Sequence, residues 1–226
     1  MNLTKIDWCD YTLNPIVGCP HNCPYCYARR QAKRQKQRCS LCHQFIPHSH
    51  LERLNDLSPR QKPARIFMDS MYDWNGQGVK EEWLVKILDK MKECPQHTFQ
   101  ILSKRPNGYD RFDFPSNVWI GTSVATTADC LRVHDFGTLG NRNLKFVSIE
   151  PLHEHIDFWF SKKEIDWLII GAETGQRKSK IIPKSEWVTS ILENGRSEGI
   201  PVFLKGNLHW PETIREFPVV SQKRNT

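Results

Sequence analysis

Six short apolar runs constrain the fold of this chain more than any other feature of it. They are RIFMDSM (65–71), HTFQILSK (97–104), NVWIGTSV (117–124), LKFVSIEP (144–151), DWLIIGAETG (166–175) and IPVFLKG (200–206). Each is strand-length and rich in β-branched or aromatic residues, and each closes on small or polar ones. Helix-like stretches separate several of them. Residues 80–94 carry apolar side chains at 83, 84, 87, 88 and 91, residues 126–137 follow, and 184–199 opens after Pro183 with Ser185 as a cap candidate and stops at Gly199. Residues 152–164 form a weaker crossover segment. Strands alternating with helices mean parallel βα units.

A further apolar, β-leaning segment, Trp8 to Gly18, precedes these runs and brings the expected count to about seven strands. With 226 residues the chain supports one substantial core. The expected fold is therefore α/β, a partial (open) parallel (β/α) barrel of about six to seven strands. It spans residues 1–226 as a single domain with a Cys/His-rich insert at about 39–50. A doubly wound open sheet is the alternative, but the first βα turn has no Gly-rich phosphate fingerprint. In a barrel all the strand carboxyl ends share one rim, where chemistry belongs. The rim candidates are Asp69, Ser70, Ser103, Lys104, Arg105, Thr122, Ser123, Ser148, Glu150, Glu173, Thr174 and Lys205.

The first strand runs into GCPHNCPYCY, which sets Cys19, Cys23 and Cys26 on one short loop. Thiolates are soft ligands suited to iron–sulfur clusters or zinc, and three on one loop leave the fourth iron of a cubane open. A zinc knuckle completed by His21, Cys9 or a distant ligand, and a ferredoxin-like carrier, are the other readings of the same spacing. A second pair, Cys39 and Cys42, stands two residues apart with His43, His48 and His50 behind it. Zinc on Cys39, Cys42, His48 and His50, an auxiliary cluster, or reduced thiols in a polar loop are the three readings there. Cys9, Cys94 and Cys130 read as small core residues.

The three-cysteine spacing, with aromatic Tyr25 just before the last cysteine, resembles the signature of the radical S-adenosylmethionine (SAM) superfamily. The ordered segments DWCDYTLNPIVGC, RIFMDSMYD, QHTFQILSKRP, NVWIGTSV, KFVSIEPL, DWLIIGAETG and PVFLKG, from about residue 5 to about residue 207, also resemble an uncharacterised phage-associated family. That family is named after gene products 37 and 68, and spore photoproduct lyase is a better-understood relative. The resemblance implies a radical SAM partial barrel with a [4Fe–4S] cluster on Cys19, Cys23 and Cys26. It also implies SAM on the open iron and reductive cleavage of SAM to a 5′-deoxyadenosyl radical. Asp69 and Ser70 stand where relatives hold the methionine amino group, and Lys104 is the partner expected for the SAM carboxylate. Tyr25, Ser103, Ser123, Glu150 and Glu173 complete the cofactor-binding set. An electron donor such as flavodoxin or ferredoxin is implied, and no substrate is.

Composition bears on partners. The net charge is +7 and the sequence pI about 9.0, which suits a polyanion without requiring one. Residues 27–38 read as an exposed helix with Arg29, Arg30, Lys33, Arg34, Lys36 and Arg38 and no acid, so DNA or RNA is a candidate partner and a solvated face the plain alternative. No run of eighteen apolar residues exists, and the amino end has neither the basic start nor the apolar stretch of a secretion signal. The expectation is a cytoplasmic protein with no membrane partner. Two non-enzymatic functions compete with the enzyme: a metal-stabilised nucleic-acid-binding module and an iron–sulfur electron carrier.

Overall fold

A computed structural model describes residues 1–68, 70–140, 142–175 and 177–219. In chain order the strands and helices are β1 (Asn2–Leu3), β2 (Tyr11–Thr12), β3 (Ile16–Val17), α1 (Tyr27–Ala32), α2 (Ser40–Gln44), β4 (His48–Ser49), β5 (Arg65–Phe67), α3 (Glu81–Glu93), β6 (Thr98–Ser103), β7 (Val118–Val124), α4 (Leu131–Gly137), β8 (Lys145–Ile149), β9 (Trp167–Ile170), α5 (Ser185–Glu198) and β10 (Val202–Leu204). Eight strands form one curled half-barrel sheet in the order β1-β2-β5-β6-β7-β8-β9-β10. Within this sheet, among the described residues, only the β1/β2 pair is antiparallel. The carboxyl ends of β2 and of β5 to β10 therefore lie on one rim.

The two faces of the sheet have different contents because successive side chains alternate. Ile66, Phe99, Ile101, Val118, Ile120, Val147, Ile149, Leu168 and Val202 pack outward against Leu84, Ile87, Leu88 and Met91 of α3, Val133 and Phe136 of α4, and Val188, Ile191 and Leu192 of α5. The concave face is floored by aromatic rings, namely Trp8, Phe67, Trp119, Phe146, Trp167 and Phe203. Trp167 sits at the centre of this floor, edge-on to Trp8, Trp119 and Phe203. Burying such a ring contributes about 1.5–3 kcal/mol, so the floor is closed core and only the upper rim is left for a ligand.

The helices form for local reasons. The apolar residues of α3 recur at helical spacing, and Glu81 and Glu82 in its first turn and Lys90 and Lys92 in its last complement the helix dipole. Gly199 ends α5 in the left-handed conformation at φ 66, which costs glycine little.

Two expectations fail. The single strand expected over Trp8–Gly18 is broken. After Thr12 the chain meets Asn14-Pro15, and proline offers no N–H to a ladder. Ile16–Val17 then leaves the main sheet and pairs antiparallel with His48–Ser49 as a separate two-stranded sheet. The strand count is accordingly eight in the main sheet, counting the terminal β1, against the six to seven expected. The exposed helix expected over 27–38 stops at Ala32 and tightens into a 3-10 turn at Lys33–Gln35. Ala28 and Ala32 are the buried side chains of that stretch, so nothing beyond them can dock another turn.

Candidate metal centre

The Cys/His-rich segment folds back as a knuckle. Cys39 caps α2, its Sγ accepting from the Cys42 N–H at 3.4 Å, and Phe45 turns the chain at a left-handed φ of 58. The chain then enters β4, where an extended backbone puts His48 and His50 on one side. The donor atoms of Cys39, Cys42, His48 and His50 all lie within 4.8 Å of one another. The Sγ to Nε2 separations are 3.5 Å for Cys39–His48, 3.3 Å for Cys42–His48 and 3.2 Å for Cys42–His50, and the two Nε2 atoms are 2.9 Å apart. A zinc tetrahedron built from ordinary Zn–S and Zn–N bonds has edges of about 3.3–3.8 Å, so these four separations are within about 0.4 Å of its edges, while the widest donor pair, at up to 4.8 Å, has about 1 Å to close.

The outer contacts agree. His48 Nδ1 faces the Ile46 carbonyl at 2.7 Å and His50 Nδ1 faces Glu52 Oε1 at 3.1 Å. Both acceptors require the proton on Nδ1, which leaves two Nε2 lone pairs pointing at each other, an arrangement that calls for a cation between them. Burial and then the Arg53 guanidinium push His50 below the usual imidazole range, keeping it in the neutral, ligating form. The N–H of Cys42 draws the Cys39 thiol down, whereas burial pushes Cys42 up to about 11.

The three-cysteine loop is built on this knuckle and lies across the rim. Gly18 enters it at φ +102, and a Cβ there would collide with the Ile46 backbone and Pro47. Gly18 N–H donates to Met71 O and Cys19 N–H to Phe45 O. The Arg29 guanidinium, over the Phe45 ring, donates to the Cys19 carbonyl at 2.8 Å. From there the loop touches the loops that follow four strands. Tyr27 donates to Ser70 O after β5, Tyr25 lies under Lys104 Nζ at 5.8 Å after β6, Tyr25 meets His153 edge-on at 5.0 Å after β8, and Arg30 donates to Thr174 O after β9. Burial, then the Asp73 carboxylate and the other two thiols, push Cys19 up to about 12. Burial likewise raises Tyr25, with Cys23 beside it.

The rim candidates divide by role. Lys104, Ser123 and Glu150 continue the concave side of their strands by alternation. Glu150 is ion-paired with buried Lys205, and both stand over Gly171. Ser103 points to the other side, donating to Asp73 Oδ1 at 2.6 Å. Ser70 Oγ donates to Asn14 Oδ1. Glu173 is buried and held bidentately by Arg177 at 2.8 and 2.7 Å, an interaction that lowers its pKa against the pull of burial. Asp69 lies outside the described residues.

Sequence reading missed Asp73, His153 and Arg177, and offered His21 only as a zinc ligand. Buried Asp73 accepts from Ser103 Oγ and the Lys104 N–H and faces His21 Nε2 at 3.4 Å; burial opposes its ionisation, but these contacts together hold its pKa low. His153 Nε2 is 3.4 Å from Glu173. Two histidine–carboxylate pairs thus flank the cysteine loop, each capable of orienting a proton carrier. The one local signal was His21 inside the cysteine loop itself. The other three stand in loops with no pattern of their own.

Fold and site define an α/β half-barrel with a Cys2His2 ligand group beside a three-cysteine rim loop. The chain belongs to the family described as "Protein of unknown function (DUF5131)", whose model matches residues 3–224. No curated protein and no solved structure matches it. The resemblance to the radical SAM superfamily, to the phage gene-product family and to spore photoproduct lyase is therefore corrected. The family matched along almost the whole chain is this one. Among the described residues, the ligand group drawn tightly enough for one ion is Cys39, Cys42, His48 and His50, not the three-cysteine motif on which the resemblance rested. Among the described residues no helix is long and apolar enough to cross a membrane.

Proposed function

We propose that this protein is a metalloenzyme. Zinc on Cys39, Cys42, His48 and His50 holds the knuckle, and an iron–sulfur cluster on Cys19, Cys23 and Cys26 forms the working centre at the rim. One observation carries the zinc: two imidazole Nε2 atoms face each other at 2.9 Å while both Nδ1 atoms are already engaged. The cluster is supported by the donor set, three soft thiols on one loop, with Cys9 buried in the aromatic floor and Cys94 and Cys130 in the outer core. Cationic Arg29, Arg30 and Lys33 beside Cys23 and Cys26 suit its negative charge.

When bound, such a cluster supplies single electrons to a ligand on the iron that the protein leaves open. The chain's own part is to shield that place with Tyr25, to present Lys104 to an anionic group, and to hold His21 and His153 as proton carriers through Asp73 and Glu173. SAM, with an amino and a carboxylate group, is the first ligand to try, and a flavodoxin- or ferredoxin-like protein the first electron donor. A zinc-stabilised nucleic-acid-binding protein without catalysis is the second reading, favoured by the same cationic side chains.

Metal analysis and anaerobic reconstitution test the proposal. The expected result is about one zinc per chain in protein prepared without iron, lost on paired substitution of Cys39 and Cys42. Reconstitution should add about four iron and four sulfide, with a reduced-state EPR signal that SAM perturbs. An iron signal that survives joint substitution of Cys19, Cys23 and Cys26 refutes the cluster, and zinc-free wild type refutes the knuckle ion. A well-formed cluster indifferent to SAM removes SAM alone.

A further inference from the structure

We infer that the groove between the three-cysteine loop and α1 is a phosphate-binding site, taking the phosphate of a nucleotide or of a nucleic-acid strand beside Cys23 and Cys26. The groove has a volume of about 430 Å³ and is lined by these two cysteines with Arg29, Arg30, Lys33 and Arg177. No carboxylate lines it among the described residues. Arg177 is neutralised by Glu173, but Arg29, Arg30 and Lys33 form no ion pair among the described residues. Three like charges are thus gathered without a counter-ion.

Two of them are also held in place. Arg29 donates to the carbonyls of Cys19 and His21 at 2.8 and 3.4 Å, and Arg30 to that of Thr174 at 2.9 Å. Backbone carbonyls fix a guanidinium without cancelling its charge, so part of the ordering cost of binding is already met in the free protein. Two planar forks and one mobile ammonium match a phosphate, with its several acceptor oxygens and up to two charges, better than a single carboxylate. Beyond Lys33 the chain carries three more exposed cations, Arg34, Lys36 and Arg38. A strand passing through would meet further phosphate contacts there, which position a nucleic acid without reading its sequence.

The site shares Arg29, Arg30 and Lys33 with the surroundings of the proposed cluster but does not rest on the cluster, so its test uses zinc-replete, iron-free protein. Binding of a fluorescent oligothymidylate is measured at several salt concentrations, with adenosine 5′-monophosphate, inorganic phosphate and polyglutamate as competitors. Wild type is compared with Arg30→Gln/Lys33→Gln and, in case removal of the Arg30–Thr174 hydrogen bond disturbs the fold, with Lys33→Glu alone. The logarithm of affinity should fall linearly with that of salt, and the double variant should flatten the slope by roughly 1.4, about 0.7 for each single-strand phosphate that is no longer neutralised. Competition by the mononucleotide and phosphate identifies a single-phosphate site, and competition by oligonucleotides alone identifies a strand path; both support the inference. Wild-type affinity and slope in both variants overturn it, as does polyglutamate displacing the strand as well as nucleotides do.

Discussion

Joint replacement of Cys39 and Cys42 by serine should melt the knuckle and, through it, disorder the three-cysteine loop while the half-barrel stays folded. The fifteen residues from Lys36 to His50 cost about 22 kcal/mol to order at roughly 1.5 kcal/mol each. Against this stand the buried side chains of Val17, Ala28, Ala32, Cys42 and Phe45, together about 6–8 kcal/mol. Some six backbone hydrogen bonds, among them His50 N–H to Pro15 O, Cys19 N–H to Phe45 O and Ile46 N–H to Leu41 O, add about 1 kcal/mol each. The deficit is about 8–10 kcal/mol, close to the roughly 10–16 kcal/mol that a structural zinc supplies. Without the ion the segment should open, and the opening should travel. Val17 loses its strand partner His48, Cys19 N–H loses Phe45 O, and the tight passage of Gly18 past Ile46 relaxes. Hydrogen exchange read peptide by peptide should show residues 16–19 and 36–50 losing protection together. Alkylation of Cys19 should speed up by at least about tenfold, since a half-buried thiol becomes fully accessible. Cys130, buried in the outer core, is the internal control and should not change. Full protection of 36–50 in both the double variant and chelator-stripped wild type would refute the reasoning, because the segment would then be ordering itself.

Gly18→Ala should be nearly as damaging as loss of the ligands, costing about 3 kcal/mol or more, because it combines a left-handed backbone with a clash against fixed backbone; zinc content and local exchange report it. Glu150→Gln strands Lys205, whose side chain is 7% exposed, and should cost roughly 3–5 kcal/mol in chemical denaturation, whereas replacing both partners with apolar residues should cost much less. Asp73→Asn should cost about 1.5–3 kcal/mol near neutral pH through its contacts with Ser103 and the Lys104 N–H. Because the folded-state pKa of Asp73 is depressed, its stabilisation is present above the ordinary carboxylate pKa and is lost as pH falls through the folded value. The variant should therefore flatten the acid limb of a stability profile below about pH 4 and leave the neutral region parallel to wild type.

The sequence by itself determined the ladder of parallel strands and the two long helices. Residues 97–104, 117–124 and 144–151 became β6, β7 and β8 with ends trimmed by a residue or two, and Gly199 stops α5 where expected. These follow from side-chain periodicity and backbone preference, which act between near neighbours. Cys39 and Cys42 with histidines close behind were legible as a candidate ligand group, but the fold decided which histidines join them: His48 and His50 turn toward the two thiols, while His43, at the end of α2, faces Lys33 O instead. Only the tertiary structure decided the rest. Asn14-Pro15 diverts β3 onto the knuckle, and the basic stretch after Ala32 has no surface on which to continue as a helix. Asp73, His153 and Arg177 reach the cysteine loop from three different loops. No local pattern encodes that convergence. It depends on how the parallel sheet brings the loops after its strands onto one rim, an arrangement held by contacts between residues distant in the chain, the aromatic floor among them.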